Sequence, residues 1–158
     1  MNTTSQVEKR VQLRLARGED KAAIVAISRN TLNFVVEEDW LDELIQGSSH
    51  AVLVAVHGSL VVGFLIFVVR DDGVYITHMA VHESFRRCGI GSALMGKIKN
   101  EMQDHGKHQL CMVVESSDKQ CLDFCTAMGF RSVSLLTDYY GRGQSARLLC
   151  YEKQSTRH

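Results

Sequence analysis

A chain of 158 residues has the length of one ordinary domain, enough to bury a core without cross-links or metal. Its 45% hydrophobic, 23% charged and 7% aromatic content excludes disordered and fibrous classes. Eighteen basic and eighteen acidic side chains cancel, which argues against nucleic acid or an anionic membrane as partner, so any anion site has to be local.

In chain order, Val11 to Leu15 alternates apolar and polar residues and predicts a half-buried strand, after which Gly18-Glu19-Asp20 opens a helix carrying Ile24, Ile27 and Leu32. Asn33-Phe34-Val35-Val36 connects it to a second helix over 37–46, whose acidic start suits the positive end of the helix dipole. Two apolar runs, Ala51 to His57 and Leu60 to Val69, flank a short turn at His57-Gly58-Ser59 and predict a hairpin. The second run contains Gly63 and is too short to span a bilayer. Asp71-Asp72-Gly73 is a further turn, and Val74 to Val81 a third strand in the row.

Ile90, Leu94, Ile98 and Met102 then recur every four residues, the apolar stripe of a helix that leaves Lys97, Lys99, Asn100 and Glu101 facing water. Leu110 to Val114 predicts another strand, and Asp118 caps a helix carrying Leu122, Cys125 and Met128 on one face and ending at Gly129. Phe130 to Leu136 and Ala146 to Tyr151 are the last two strands, around a polar loop over 137–145. The order is mixed α/β, one domain over 1–158 with an ordered core of about 11–152. Five cysteines, an odd number without disulfide-framework or zinc-pair spacing, fit a reducing cytoplasm, and no metal site is expected.

The stretch that carries chemistry is Arg86-Arg87-Cys88-Gly89-Ile90-Gly91-Ser92, between a strand and the start of the most periodic helix. Two glycines let a backbone approach an anion closely, and the amides of a first helical turn point at it with the dipole behind them. Arg86 and Arg87 add cationic donors. Gly91 is followed by Ser92-Ala93 where a Walker loop has Gly-Lys-Ser/Thr, and the three glycines of a dinucleotide fingerprint are absent.

The loop resembles motif A of the GNAT superfamily, the acetyl-CoA-dependent N-acetyltransferases, with Arg86, Gly89 and Gly91 matching Gln/Arg-x-x-Gly-x-Gly/Ala. The preceding Ile76-Thr77-His78-Met79-Ala80-Val81 is similar to the family's fourth strand, and Cys121 to Phe130 to its motif B, a helix ending in Gly-Phe. The resemblance implies a GNAT-like α/β (α+β) fold: a mixed, mostly antiparallel central sheet of six to seven strands flanked by about four helices.

It also implies a chemistry, transfer of acetyl from acetyl-CoA to a primary amine of a small molecule or a protein N-terminus by direct attack in a ternary complex. An acetyl-CoA-binding regulatory module without catalysis is the alternative. Met79, Ala80 and Val81 would line the acetyl-pantetheine arm, with the Met79 amide polarising the thioester carbonyl. The amides of Arg87, Cys88, Gly89, Ile90, Gly91 and Ser92, beside Arg86, would hold the pyrophosphate. Asp118 takes a position where relatives often have an asparagine near the pantetheine.

The family's usual proton donor, a tyrosine four residues before the motif B glycine, is Cys125 here, where packing is the simpler role. Tyr75 lies where some relatives carry a glutamate base and some N-terminal acetyltransferases a tyrosine, and is the candidate to relay the amine proton through water. Tyr139-Tyr140 resembles a pair that helps bind the acceptor in ribosomal-protein and related N-terminal acetyltransferases, while the strand residue that is acidic or histidine in those relatives is Val113. Phe34 and Trp40 would flank the acceptor, core packing being the alternative for Trp40. His78 is expected to face a helix. The resemblance implies a monomer or a homodimer.

Overall fold

The computed structural model describes residues 11–31, 36–47 and 49–153; Phe34 lies outside them. Seven strands and four helices follow in the predicted order. The strands are β1 (Val11–Leu15), β2 (His50–His57), β3 (Leu60–Arg70), β4 (Gly73–Val81), β5 (Gln109–Glu115), β6 (Arg131–Leu136) and β7 (Ala146–Glu152). The helices are α1 (Lys21–Thr31), α2 (Glu38–Gln46), α3 (Ile90–Asp104) and α4 (Lys119–Ala127). The strands run in hydrogen-bonded order β1-β2-β3-β4-β5-β7-β6, with β4 and β5 paired in parallel and β1/β2, β2/β3, β5/β7 and β6/β7 antiparallel. The sheet is therefore mostly antiparallel, and the fold class is mixed α/β as expected. The described residues divide into two compact units, one made of those up to Val68 with His78–Ile98 and the other of Val69–Thr77 with those from Lys99 on.

In the first unit the amphipathic faces of α1 and α2 cover one face of the β2–β3 hairpin. Ile24 and Ile27 of α1, Leu41 and Leu44 of α2, alternate valines of β2 (Val52, Val54, Val56), Phe64 and Ile66 form one buried cluster. The α3 stripe Ile90, Leu94, Ile98 is buried as its four-residue spacing predicts, and Met95 joins it. Gly63, in the middle of β3, has a packing reason: a Cβ there would come within 3.0 Å of the Ile90 side chain and 3.3 Å of the Ala80 carbonyl oxygen. The first turn of α3 can thus lie close on the strand.

The first unit also buries a charge. Asp20, 4% exposed, accepts hydrogen bonds from both Arg14 guanidinium nitrogens (2.7 and 3.1 Å) and from the Arg17 amide (2.7 Å). Burial alone would raise this carboxyl, but the three donors outweigh it and hold it below the usual carboxylate range.

The second unit is built on β5 and β7, paired over seven residues from Gln109–Glu152 to Glu115–Ala146. α4 lies on the Met112 face, where the Cys125 thiol contacts the Met112 thioether at 3.5 Å. The helix starts as predicted, with Asp118 Oδ1 accepting from the Cys121 amide (3.1 Å), and is followed by Gly129 at φ +93°, a left-handed conformation suited to glycine. Its C-terminal end is closed by Lys99, whose ammonium donates to the Met128 carbonyl (2.6 Å) and sits 4.1 Å from the Tyr151 ring centroid. Lys99 therefore does not face water as its place on the α3 wheel suggests, and burial pulls its pKa down.

One expectation is corrected outright. Cys111 and Cys150 form a disulfide between β5 and β7. They are 39 residues apart in the chain, and only the antiparallel register places them opposite each other with Cα atoms 4.2 Å apart, a relation no cysteine spacing encodes.

Candidate functional site

The first unit holds the Arg86–Ser92 stretch. The chain leaves β4 at Val81, makes a short 3₁₀ turn over Glu83–Phe85, and enters α3 at Ile90. Two residues in the joining stretch have positive φ, Arg87 at +63° and Gly89 at +81°. Gly89 adopts this freely, whereas for Arg87 it is a strained conformation that the turn imposes. Both arginine side chains are exposed, and among the described residues neither makes an ion pair.

The amides needed for an anion are present. The first intrahelical hydrogen bond here is Ala93 N–H to Gly89 O (3.0 Å), so the amides of Ile90, Gly91 and Ser92 precede any helical acceptor. No acidic residue occupies the first turn of this 15-residue helix. Gly91 itself is helical rather than part of the turn.

β4 supplies the other half of this geometry. The His82 amide donates to Val62 O of β3 (2.7 Å). By strand alternation Ala80 shares that direction, and the backbone groups of Met79 and Val81 point to the opposite edge of β4. Among the described residues the parallel ladder with β5 consists of Val74–Leu110, Tyr75–Cys111 and Ile76–Met112, which leaves Met79, Ala80 and Val81 outside it. His78 packs edge-on against Trp40 of α2 (ring centroids 5.1 Å), and burial, with His50 nearby, pulls its imidazole pKa down. Both residues meet the packing reading.

The second unit carries the remaining predicted residues. Tyr75 donates its hydroxyl to Asp72 Oδ2 (2.7 Å), and that bond, with partial burial, pushes its pKa up. Cys125 is 0% exposed, its thiol lies against the Met112 thioether, and the neighbouring Cys121 thiol and burial push its pKa up. Asp118 is committed to capping α4.

Tyr139 and Tyr140 stand edge to face at 5.0 Å on the loop between β6 and β7, 55% and 41% exposed. The loop is internally braced: Asp138 Oδ1 accepts from the Gly143 amide (2.7 Å), the Tyr140 amide donates to Gln144 O (3.0 Å), and the Gln144 amide to Gly141 O (2.9 Å). Just past the end of β5, Ser116 meets the stem of this loop. The Ser116 amide donates to Ser145 O (2.9 Å), and burial, then Tyr139, Glu115 and Cys121, push the Tyr140 pKa up.

The chain matches the acetyltransferase (GNAT) family over residues 21–130. It is 25% identical over 156 residues to the [ribosomal protein bS18]-alanine N-acetyltransferase of Haemophilus influenzae, covering 96% of this chain and 99% of that one. With the N-alpha-acetyltransferase of Saccharolobus solfataricus it shares 26% identity over 152 residues, 87% of this chain and 90% of that one. Arabidopsis thaliana NAA60, solved in complex with acetyl-CoA, has the same fold, with a TM-score of 0.79, 18% identity, and coverage of 90% and 98%. With motif A, the β4 edge and motif B in place, the chain belongs to the acetyltransferase (GNAT) family and is an N-acetyltransferase with acetyl-CoA as its acyl donor.

Proposed function

We propose that this acetyltransferase modifies the α-amino group of a protein or peptide N-terminus, by direct attack on the acetyl-CoA thioester. The observation that carries the reading is the rigid loop presenting Tyr139 and Tyr140 to solvent in a chain whose full-length relatives are named for N-terminal acetylation. Two exposed rings on a braced polar loop contribute nothing to a core and suit the side chains and backbone of a short peptide.

In this reading the uncapped amides of Ile90, Gly91 and Ser92, with Arg86 and Arg87, take the pyrophosphate, where the helix dipole and the guanidinium groups favour negative charge. The outward backbone edge at Met79 and Val81 takes the pantetheine amides, and the Met79 N–H stabilises the oxyanion that forms as the amine attacks. Tyr75, its hydroxyl already bonded to Asp72, passes the amine proton through water; held protonated by that bond, it relays rather than abstracts. Cys125, buried and of raised pKa, packs α4 and does not protonate the thiolate, which leaves with a solvent proton.

The test is release of free coenzyme A thiol with a panel of short peptides, the same peptides blocked at the N-terminus, and small amines. Turnover only with free N-termini is expected, and Tyr75→Phe is expected to lower kcat about 10- to 100-fold with acetyl-CoA affinity unchanged. Turnover restricted to small amines would overturn the acceptor, and full activity of Tyr75→Phe would place the relay elsewhere.

A further inference from the structure

Tyr75, Cys111, Cys150 and Arg131 form one row across four strands of the second unit, since the registers pair Tyr75 with Cys111, Cys111 with Cys150 and Cys150 with Arg131. The two cysteines in the middle are disulfide-bonded, so β5 is tied covalently to β7 beside the tyrosine. The row lies near one end of these strands: β4 starts at Gly73, β5 at Gln109 and β6 at Arg131, and β7 ends at Glu152. Only the pairs Gln109–Glu152 and Leu110–Tyr151, with the bond from the Lys153 amide to His108 O (3.0 Å), separate the disulfide from the end of the ladder. Strand ends fray at a fraction of the cost of global unfolding, so this crosslink can be reached although Cys111 and Cys150 are 1% and 5% exposed in the closed form. A donor also stands at the sulfurs. The Gln109 side-chain nitrogen donates to Cys111 Sγ (3.0 Å) and lies 3.5 Å from Cys150 Sγ. A crosslink that only packs gains little from such a donor, whereas a thiolate released at Cys111 is stabilised by it.

We infer that Cys111–Cys150 is a reversible redox switch in the second unit, closed as the disulfide that holds β5 beside Tyr75 and opened by small thiols of the glutathione class. A thiolate attacks Cys150 Sγ, the more exposed of the two. The S–S bond breaks, its electron pair goes to Cys111 Sγ against the Gln109 amide, and a mixed disulfide forms on Cys150. A second thiol attacks the small-molecule sulfur of that mixed disulfide and frees Cys150. Two protons end on the two cysteines, and the two thiol molecules leave joined as one disulfide. An oxidised small disulfide reverses the sequence. Once opened, β5 is held to β7 by the ladder alone, and Tyr75 loses a fixed neighbour. The effect on turnover rests on the relay proposed for Tyr75; the exchange chemistry does not.

The test equilibrates the wild-type enzyme in buffers running from oxidised to reduced glutathione. Alkylation with mass spectrometry counts free Cys111 and Cys150, melting follows the fold, and mass detection of the acetylated product follows turnover of whichever amine the enzyme accepts. Both cysteines are expected to become alkylated together without denaturant. Opening should lower Tm by about 10 °C, as loss of a crosslink between residues 39 apart requires, and lower kcat about 10-fold, with recovery on reoxidation and acetyl-CoA affinity within about twofold. The double variant Cys111→Ser with Cys150→Ser should match the reduced wild type at every glutathione ratio; if it does not fold, the reduced wild type supplies the same comparison. Gln109→Leu should keep the Tm of the disulfide form and slow opening by dithiothreitol about 10-fold. Opening only in denaturant, or turnover within twofold across the titration, would overturn the switch, and an unchanged opening rate in Gln109→Leu would overturn the assigned leaving sulfur. Alkylation and melting need no turnover, and the turnover arm takes any accepted amine, so failure here is distinct from failure of the proposed acceptor.

Discussion

The loop entering α3 and the loop between β6 and β7, proposed above to take the cofactor and the acceptor, differ in what they offer a ligand. The first works with main chain: amides that the helix geometry leaves without acceptors, a left-handed turn at Arg87 and Gly89, and side chains that matter chiefly as charge. The second offers side chains held on a braced frame, two exposed tyrosine rings. A main-chain site tolerates most side chains but not bulk, whereas a side-chain site is sensitive to the loss of particular groups and less to added volume elsewhere. That contrast predicts which substitutions hurt and which ligand each one loses.

The largest effect is expected from Gly91→Trp. An indole over the first turn of α3 would cover the amides of Ile90, Gly91 and Ser92, and the loss of a charge-assisted contact to the diphosphate is expected to weaken acetyl-CoA binding by 100-fold or more. Calorimetry with acetyl-CoA measures it; binding within threefold of wild type would show that the diphosphate is held elsewhere. Tyr140→Ala comes next and has the opposite signature. Acetyl-CoA affinity stays where it is while KM for the amine rises about 10-fold, the cost of removing one well-placed ring from a recognition surface. Equal loss of both affinities would erase the distinction between the two loops.

The two sites also differ in how plainly residue order announces them. Gly89 and Gly91 after a strand and before a four-residue apolar repeat are a local pattern, because the helix N-terminus and its free amides are made by adjacent residues. Elements were readable for the same reason: the alternation in β1 and the Ile90-Leu94-Ile98-Met102 stripe each report a single period. What was not readable depends on partners distant in sequence. Cys111 opposite Cys150 and Glu115 opposite Ala146 are set by the β5–β7 register. Gly63 reads as an oddity in an apolar run until Ile90 is packed on it. Cys125 stands at the motif B position, and its contact with Met112 is set by how α4 packs on β5 rather than by residue order.

Lys99 gives the smallest expected effect and the control for the other two. Its place on α3 marks it as solvent-facing, yet it closes the C-terminal end of α4 through the Met128 carbonyl and lies over Tyr151. In Lys99→Met the aliphatic stem is kept while the charge and the hydrogen bond go, so the loss isolates the cap and the cation–π contact, about 1 to 2 kcal/mol together. Urea unfolding should show a lower midpoint with an unchanged slope. Since Lys99 touches neither the Arg86–Ser92 stretch nor the Tyr139–Tyr140 loop in the contacts described, affinity for acetyl-CoA and KM for the amine should both hold within about twofold well below the unfolding midpoint. If either shifts further while the protein stays folded, α4 positions that ligand, and the main-chain and side-chain sites are not separable by substitution.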